Sequence, residues 1–313
     1  MDIAHKESDK ILEELEKELK KLYSSCYKKN KADFEKALNK LLKNKKLTIQ
    51  QQNELLEEME RYETIIKQLA EEIKNANVTA SNMINGELIN VYSVNYNYGA
   101  YMVENASGYN CSFNIYNQNA IKKLLADNVN PFTMIALDEA KDKDIIYRLL
   151  KRQFMSSIIN GETIEEIAER VKVTTEKNMN DSIRIARTET TRIESLGRQD
   201  AFEYGEKKGL KLSKKWISTA DSRTRESHLK MMNETVGLNE KFSNGLDFPG
   251  GIGGRASEVI NCRCTHVVEF DGVKKGANEL KLEEDLKNMA YNEWLNRQNK
   301  QGDKFYLRLN KNA

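Results

Sequence analysis

Only two prolines, Pro131 and Pro249, interrupt a chain of 313 residues. Proline removes a backbone donor and clashes with the preceding helical turn, so its scarcity leaves long stretches free to run as uninterrupted helix. Charged residues make up 31% and hydrophobic residues 39%. A chain this polar has narrow apolar stripes to bury, which suits long solvated helices more than a sheet covered on both faces. Its length is that of about two ordinary domains.

The first 75 residues show helical spacing. Ile11, Leu12, Leu15, Leu19 and Leu22 form one stripe, and Leu55, Leu56, Met59, Ile66, Leu69 and Ile73 form another. A lysine-rich stretch between Lys28 and Lys46 separates them, read either as a solvated helix face or as an arm for DNA or a partner. Residues 76–118 are rich in Asn, Tyr and Val, and their alternation predicts a short antiparallel hairpin. Helical spacing returns over 119–210, with Ile145, Leu149 and Ile158 on one stripe. A helix from about Thr175 to Lys208 then carries Arg184, Arg187, Arg192 and Arg198, with Glu189, Glu194 and Glu203 near enough to pair with them. A small α+β unit is expected over 211–272, and one amphipathic helix bearing Leu282, Leu286, Met289 and Trp294 over 273–313. The fold class is therefore mainly α, with long N-terminal helices, a short antiparallel β element and a small α+β C-terminal domain.

The net charge is +2, so attraction to nucleic acid would have to come from local basic patches. No apolar run approaches the roughly 18 residues of a membrane span, and the N-terminus lacks the apolar core of a signal peptide. A protein made and kept in a cytoplasm, with no membrane partner, is the expectation. There the four cysteines would be thiols and not disulfides.

Chemistry concentrates between Trp216 and Cys264, extended to His266. Two of the three histidines and two of the four cysteines fall there. Trp216 is expected to be buried on a short strand. If Asp221 to His228 is helical, Asp221, Arg225 and His228 share a face. If Asn261 to Val267 is a strand, Cys262, Cys264 and His266 project to one side. Cys262, Cys264 and His228, with His266 or Asp221 as a fourth ligand, would then suit a tetrahedral structural zinc ion. The competing reading is plain core thiols, with His228 bonded to a loop carbonyl and Asp221 capping a helix. The glycine-rich loop from Asn244 to Arg255 lacks the ending of a P-loop and reads as a tight connection, with Arg255 and Arg263 available to an anion.

The order ARTET, WISTADSRTRESH, a PGG and IGG loop, then NCRC resembles the Mu F-like minor head proteins of tailed bacteriophages, the phage head morphogenesis family. The likeness is most specific over Trp216 to Cys264 and extends more weakly back to about Ala120. Its motif positions fall on Arg187, Thr188, Glu189, Trp216, Asp221, Arg223, Arg225, His228, Asn261, Cys262, Arg263 and Cys264. After His228 the family usually has a Leu-Asp-Gly turn, where this chain has Leu229, Lys230, Met231, Met232 and Asn233. The resemblance implies a non-enzymatic protein of the virion interior, assembled in the host cytoplasm. It would be associated with the portal protein, and with scaffolding or major capsid protein, assisting head assembly and DNA packaging or ejection. Two other classes stay open. One is a hydrolase or nuclease with His228, Asp221 and Arg225 as its site. The other is a module binding double-stranded DNA through the lysines or the arginine helix.

Overall fold

The computed structural model describes residues 2–42, 48, 50, 51, 60–113, 141–160, 162, 164–275 and 280–301. Four helices dominate: α1 Ile3–Leu42, α2 Glu60–Ser107, α3 Lys143–Ile159 and α4 Ile164–Lys207. The fold is mainly α with a small antiparallel sheet toward the C-terminus, as the sequence predicts. Leu55, Leu56, Met59 and Pro131 lie outside the described residues.

The chain forms two compact units, each discontinuous in sequence. One is built from residues 12–87 and 129–186. Its core gathers Phe34 of α1, Ile66, Leu69 and Ile73 of α2, Ile146, Leu150 and Phe154 of α3, and Ala168 and Val171 of α4. Phe34 and Phe154 stack with ring centroids 4.8 Å apart. The α3 stripe therefore lies at Ile146, Leu150 and Phe154, one residue on from Ile145 and Leu149, which are only half-buried. A polar ladder crosses the same helices. Tyr23 donates to the Asn77 carboxamide at 2.7 Å, and Asn77 donates to Asn178 at 2.8 Å.

The other unit comprises residues 1–11, 88–128 and 187–313. Here the expected hairpin over 76–118 is corrected: helix α2 runs unbroken to Ser107, and the only strand among the described residues of that span is the short β1, Tyr109–Asn110. The β-prone Val, Tyr and Asn residues are held in helix by packing and by side chains that bond back along it. Ser93 donates to the Ile89 carbonyl, Asn95 to that of Val91 and Ser107 to that of Val103. Val91, Tyr92, Asn95, Tyr96 and Val103 are buried at helical spacing. Tertiary burial thus overrides strand propensity. The boundary expected at residue 75 falls inside this helix, and the helix expected from about Thr175 begins earlier, at Ile164, as α4.

Two glycines set the approach of α2 to α4 in this unit. A Cβ on Gly197 would stand 2.8 Å from the Tyr92 carbonyl oxygen, and one on Gly99 would stand 2.9 Å from Ala201 Cβ. Only hydrogen at these positions permits the spacing.

After α4 the chain turns at Gly209, with φ of 112°, into β2, Leu210–Ile217. That strand is the centre of a three-stranded antiparallel sheet in the order β3, β2, β4, where β3 is Thr235–Gly237 and β4 is Thr265–Val273. Trp216 pairs with His266 across it. Two short helices, α5 Glu226–Lys230 and α6 Ala256–Val259, lie in the connections. The expected single C-terminal helix is also corrected. It is a strand β5, Lys281–Leu282, paired with β1, then a 3-10 turn Glu284–Asn288, then α7 Tyr291–Gln301. Leu286 and Trp294 are buried, whereas Leu282 stays exposed on the edge of its ribbon.

Candidate functional site

Trp216 is fully buried and organises the small domain. Its ring meets those of His228 and Phe242 edge-on, at centroid distances of 5.3 Å and 5.1 Å. Its indole N–H donates to Ser218, whose hydroxyl donates in turn to the His228 carbonyl. Met231, Phe242, Leu246, Val259, Cys262 and Cys264 complete this apolar cluster.

The segment from Asp221 to His228 is not one helix. Residues 221–224 form a turn, and only Glu226–Lys230 is helical. Asp221 accepts in that turn from the Arg223 and Thr224 backbone and side-chain donors. The expected shared face of Asp221, Arg225 and His228 is therefore absent. Asp221 instead receives the Arg263 guanidinium in a fork, with N–O distances of 2.6 Å and 2.5 Å. The hydrogen bonds from Arg263 hold its carboxyl far below the usual carboxylate range. Arg263 is thereby committed to Asp221 and not held ready for an anion. Arg225 donates to the Ile260 carbonyl, and Arg223 is exposed beside Asp221. The turn after α5 is closed by Asn233 at φ 66°. Asparagine tolerates this left-handed conformation better than other side chains.

Nor is NCRCTHV a strand throughout, because β4 begins only at Thr265. Asn261 takes φ 55°, and this kink turns Cys262 and Cys264 back toward α5. His266 departs from them. Its ring lies between Phe202 and Phe248, with both ring nitrogens buried and unpaired among the described residues. Burial keeps that imidazole well below its ordinary value, hence neutral.

His228, Cys262 and Cys264 do come together. Their ligand atoms lie within 4.8 Å of one another, and each residue is about 1% exposed. His228 Nδ1 stands 3.3 Å from Cys264 Sγ and 3.7 Å from Cys262 Sγ. On its other side, Nε2 meets the Glu258 carboxylate at 3.0 Å. The hydrogen bond between the thiols pulls Cys264 down, helped by His228, and the same bond, with burial, pushes Cys262 up. Of the ligand set expected from spacing, three members meet, while His266 and Asp221 lie in other interactions.

Helix α4 braces this centre from the ARTET segment. Thr191 donates to the Cys262 carbonyl, and the Thr188 hydroxyl accepts from the Asn261 N–H at 3.2 Å. Thr219 donates to the Arg263 carbonyl. Glu189 is buried with Arg192, while Arg187 is exposed. Gly250, at φ 77°, brings the glycine-rich loop against the Arg192 backbone, which makes that loop a packed connection. Arg192 and Arg198 pair with Glu189 and Glu194, as the spacing predicts, but both are buried and not on a solvated face, while Arg184 pairs with Asp181 instead of a glutamate.

Sequence reasoning missed Glu258, Thr191 and Thr219, which have no motif of their own. Glu258 carried one usable signal: it stands four residues before Cys262, on a short turn leading into NCRC. A second centre was missed altogether. Asp2 and His5 at the N-terminus join Glu194 and Arg198 in a buried ionic network.

Residues 149–267 match the family model described as Phage Mu protein F like protein. Over 301 residues the chain is 27% identical to the minor head protein GP7 of Bacillus phage SPP1, covering 91% of this chain and 93% of that one. Over 160 residues it is 31% identical to the NAD(+)--arginine ADP-ribosyltransferase EFV of Enterococcus faecalis, covering 49% of this chain but 32% of that protein. No solved structure matches the chain.

Proposed function

We propose, from the match of residues 149–267 to the Mu protein F-like family and the likeness to a phage minor head protein, that the chain is a minor head protein of a tailed bacteriophage, held inside the procapsid at the portal and assisting DNA packaging or ejection. The observation that carries the reading is the similarity to a phage minor head protein over nearly the whole length of both chains. Portal, scaffolding or major capsid protein are the partners this role calls for, and the virion interior is its place. No helix among the described residues is long and apolar enough to cross a membrane.

The motif residues favour a structural role over catalysis. Cys264, His228 and Glu258 stand in the order of a nucleophile, a base and a group that orients it. A nucleophile must reach its substrate, however, and both Cys264 and His228 are about 1% exposed. The nuclease alternative built on His228 and Asp221 finds no support either. Asp221 is bound to Arg263, and both nitrogens of His228 are engaged elsewhere. The match to the transferase covers about a third of that protein, so its activity carries no weight for this chain. As for DNA binding by the basic N-terminal stretch, Lys29 and Lys31 are paired with Glu72 and Glu169 at 2.8 Å and 2.6 Å, which weakens that patch.

Co-expression with the portal, scaffolding and major capsid proteins of the encoding phage tests the proposal. The chain is expected in gradient-purified procapsids made with the portal and to be missing from those made without it. Its absence from both, or equal amounts in both, would overturn portal association.

A further inference from the structure

The trio of His228, Cys262 and Cys264 has features that a merely packed thiol pair does not require. All three donor atoms point at one spot in a buried apolar cluster, from two separate segments of the chain. Two sulfur donors and an imidazole buried together are a costly polar group to leave in such a place without compensation.

We propose that these three residues bind a structural zinc ion, with Glu258 orienting the histidine. This goes beyond the head-protein role and stands independently of it.

With Zn–S near 2.3 Å and Zn–N near 2.05 Å at tetrahedral angles, ligand nitrogen and sulfur stand about 3.6 Å apart. The observed separations of 3.3 Å and 3.7 Å from His228 Nδ1 bracket that value. The thiol sulfurs, within 4.8 Å of each other, need only a small side-chain rotation to reach the separation of about 3.8 Å that the same geometry gives.

Chemistry adds to geometry. Two thiolates neutralise a divalent cation, so the loaded centre is electrically balanced in its apolar surroundings, and binding releases thiol protons. A mixed sulfur and nitrogen donor set suits zinc, whereas hard cations take oxygen. Ligating histidines usually give their second nitrogen to a carboxylate, which fixes the tautomer. Glu258 stands 3.0 Å from His228 Nε2 in that position. Among the described residues no further His, Cys, Asp or Glu joins the trio, which leaves the fourth position to a group outside that set. The ion would tie α5 to the Cys262–Cys264 turn, and so hold together the two segments that flank Trp216.

The test uses full-length protein purified under reducing conditions, without chelator, from zinc-containing medium. Elemental analysis is expected to find about one zinc per chain. The metal-free protein, titrated with cobalt(II), should develop the visible and near-ultraviolet bands of tetrahedral thiolate coordination. Cys262→Ser with Cys264→Ser should abolish both signals. Glu258→Gln, which keeps the ligands, should bind zinc about 10- to 100-fold more weakly. Wild-type protein with no zinc and no cobalt spectrum would overturn the proposal, and this readout does not depend on whether any variant folds. Undiminished metal in the double serine variant would overturn it too, by placing the ion elsewhere. So would a Cys262–Cys264 disulfide that persists under the reducing conditions of purification.

Discussion

Replacing Arg198 by methionine tests how the head-protein fold is held at its N-terminus. The Arg198 side chain is fully buried. Its guanidinium forks onto Asp2 with N–O distances of 2.7 Å and 2.8 Å, and Glu194 lies 3.4 Å away. It also donates to Asn95 at 3.0 Å and to the His266 carbonyl at 3.2 Å. On its far side Glu194 meets His5 at 2.8 Å. Methionine keeps much of the length and removes the charge and every donor. Breaking a buried ion pair from one side costs about 3–5 kcal/mol, because the partner charges stay behind. At about 2–4 °C per kcal/mol for a unit of this size, the melting temperature should fall by roughly 6–20 °C.

The pH profile sharpens this test. Burial alone would raise the Asp2 carboxyl, but the Arg198 charge and hydrogen bonds outweigh it and leave Asp2 below its ordinary value. Its stabilisation is therefore present above the unfolded value, about 3.9, and is lost as the pH falls through the lower folded value. Burial likewise pulls His5 down, but Glu194 outweighs it and leaves it above its ordinary value. That contribution is present below about pH 6.5 and is lost as the pH rises through the higher folded value. Arg198→Met removes what holds Asp2 down, so its deficit should be larger at pH 6 than at pH 3. Urea unfolding at both values measures this. A variant within about 1 kcal/mol of wild type, or a deficit independent of pH, would refute the reasoning.

Asp200 makes the opposite case: burial raises its carboxyl to about 6, against a hydrogen bond from Tyr92 at 2.6 Å. Its folded value exceeds its unfolded one, so stability should fall as the pH rises from about 4 to 6, and Asp200→Asn should recover up to about 3 kcal/mol at pH 7, less for the part of the carboxyl that water reaches. Gly197→Ala should destabilise by about 1–3 kcal/mol in chemical denaturation, since the new methyl would meet the Tyr92 and Tyr96 backbone. Gly86→Ala, with nothing within 4 Å, should instead stabilise helix α2 by about 0.5–1 kcal/mol.

The sequence made the C-terminal chemistry legible where residue type limited the choices. A Cys-x-Cys pair and one nearby histidine are few enough donors that their meeting could be anticipated. The route by which they meet was not legible, because it depends on Asn261 adopting a left-handed conformation and not on strand alternation. The stretch from Val91 to Val103 misled for a different reason. Its residue types favour strands, and only the burial of one helical face and the back-bonded Ser and Asn side chains decide for helix. Pairing of the α4 arginines followed from spacing, but their burial did not. Arg198 is charged like any surface residue, and its partner Asp2 lies 196 positions away in the chain. Nothing local announces such a contact.

The head-protein account rests most directly on where the protein ends up and what fails without it. Quantitative mass spectrometry of gradient-purified virions from the encoding phage, alongside an amber mutant in this gene grown without suppression, measures both. The account predicts that the chain is present in wild-type virions far below the major capsid protein, and that mutant particles lack it and lose infectivity until the wild-type chain is supplied in trans. A chain absent from purified heads, together with a mutant of unchanged titre, would contradict it.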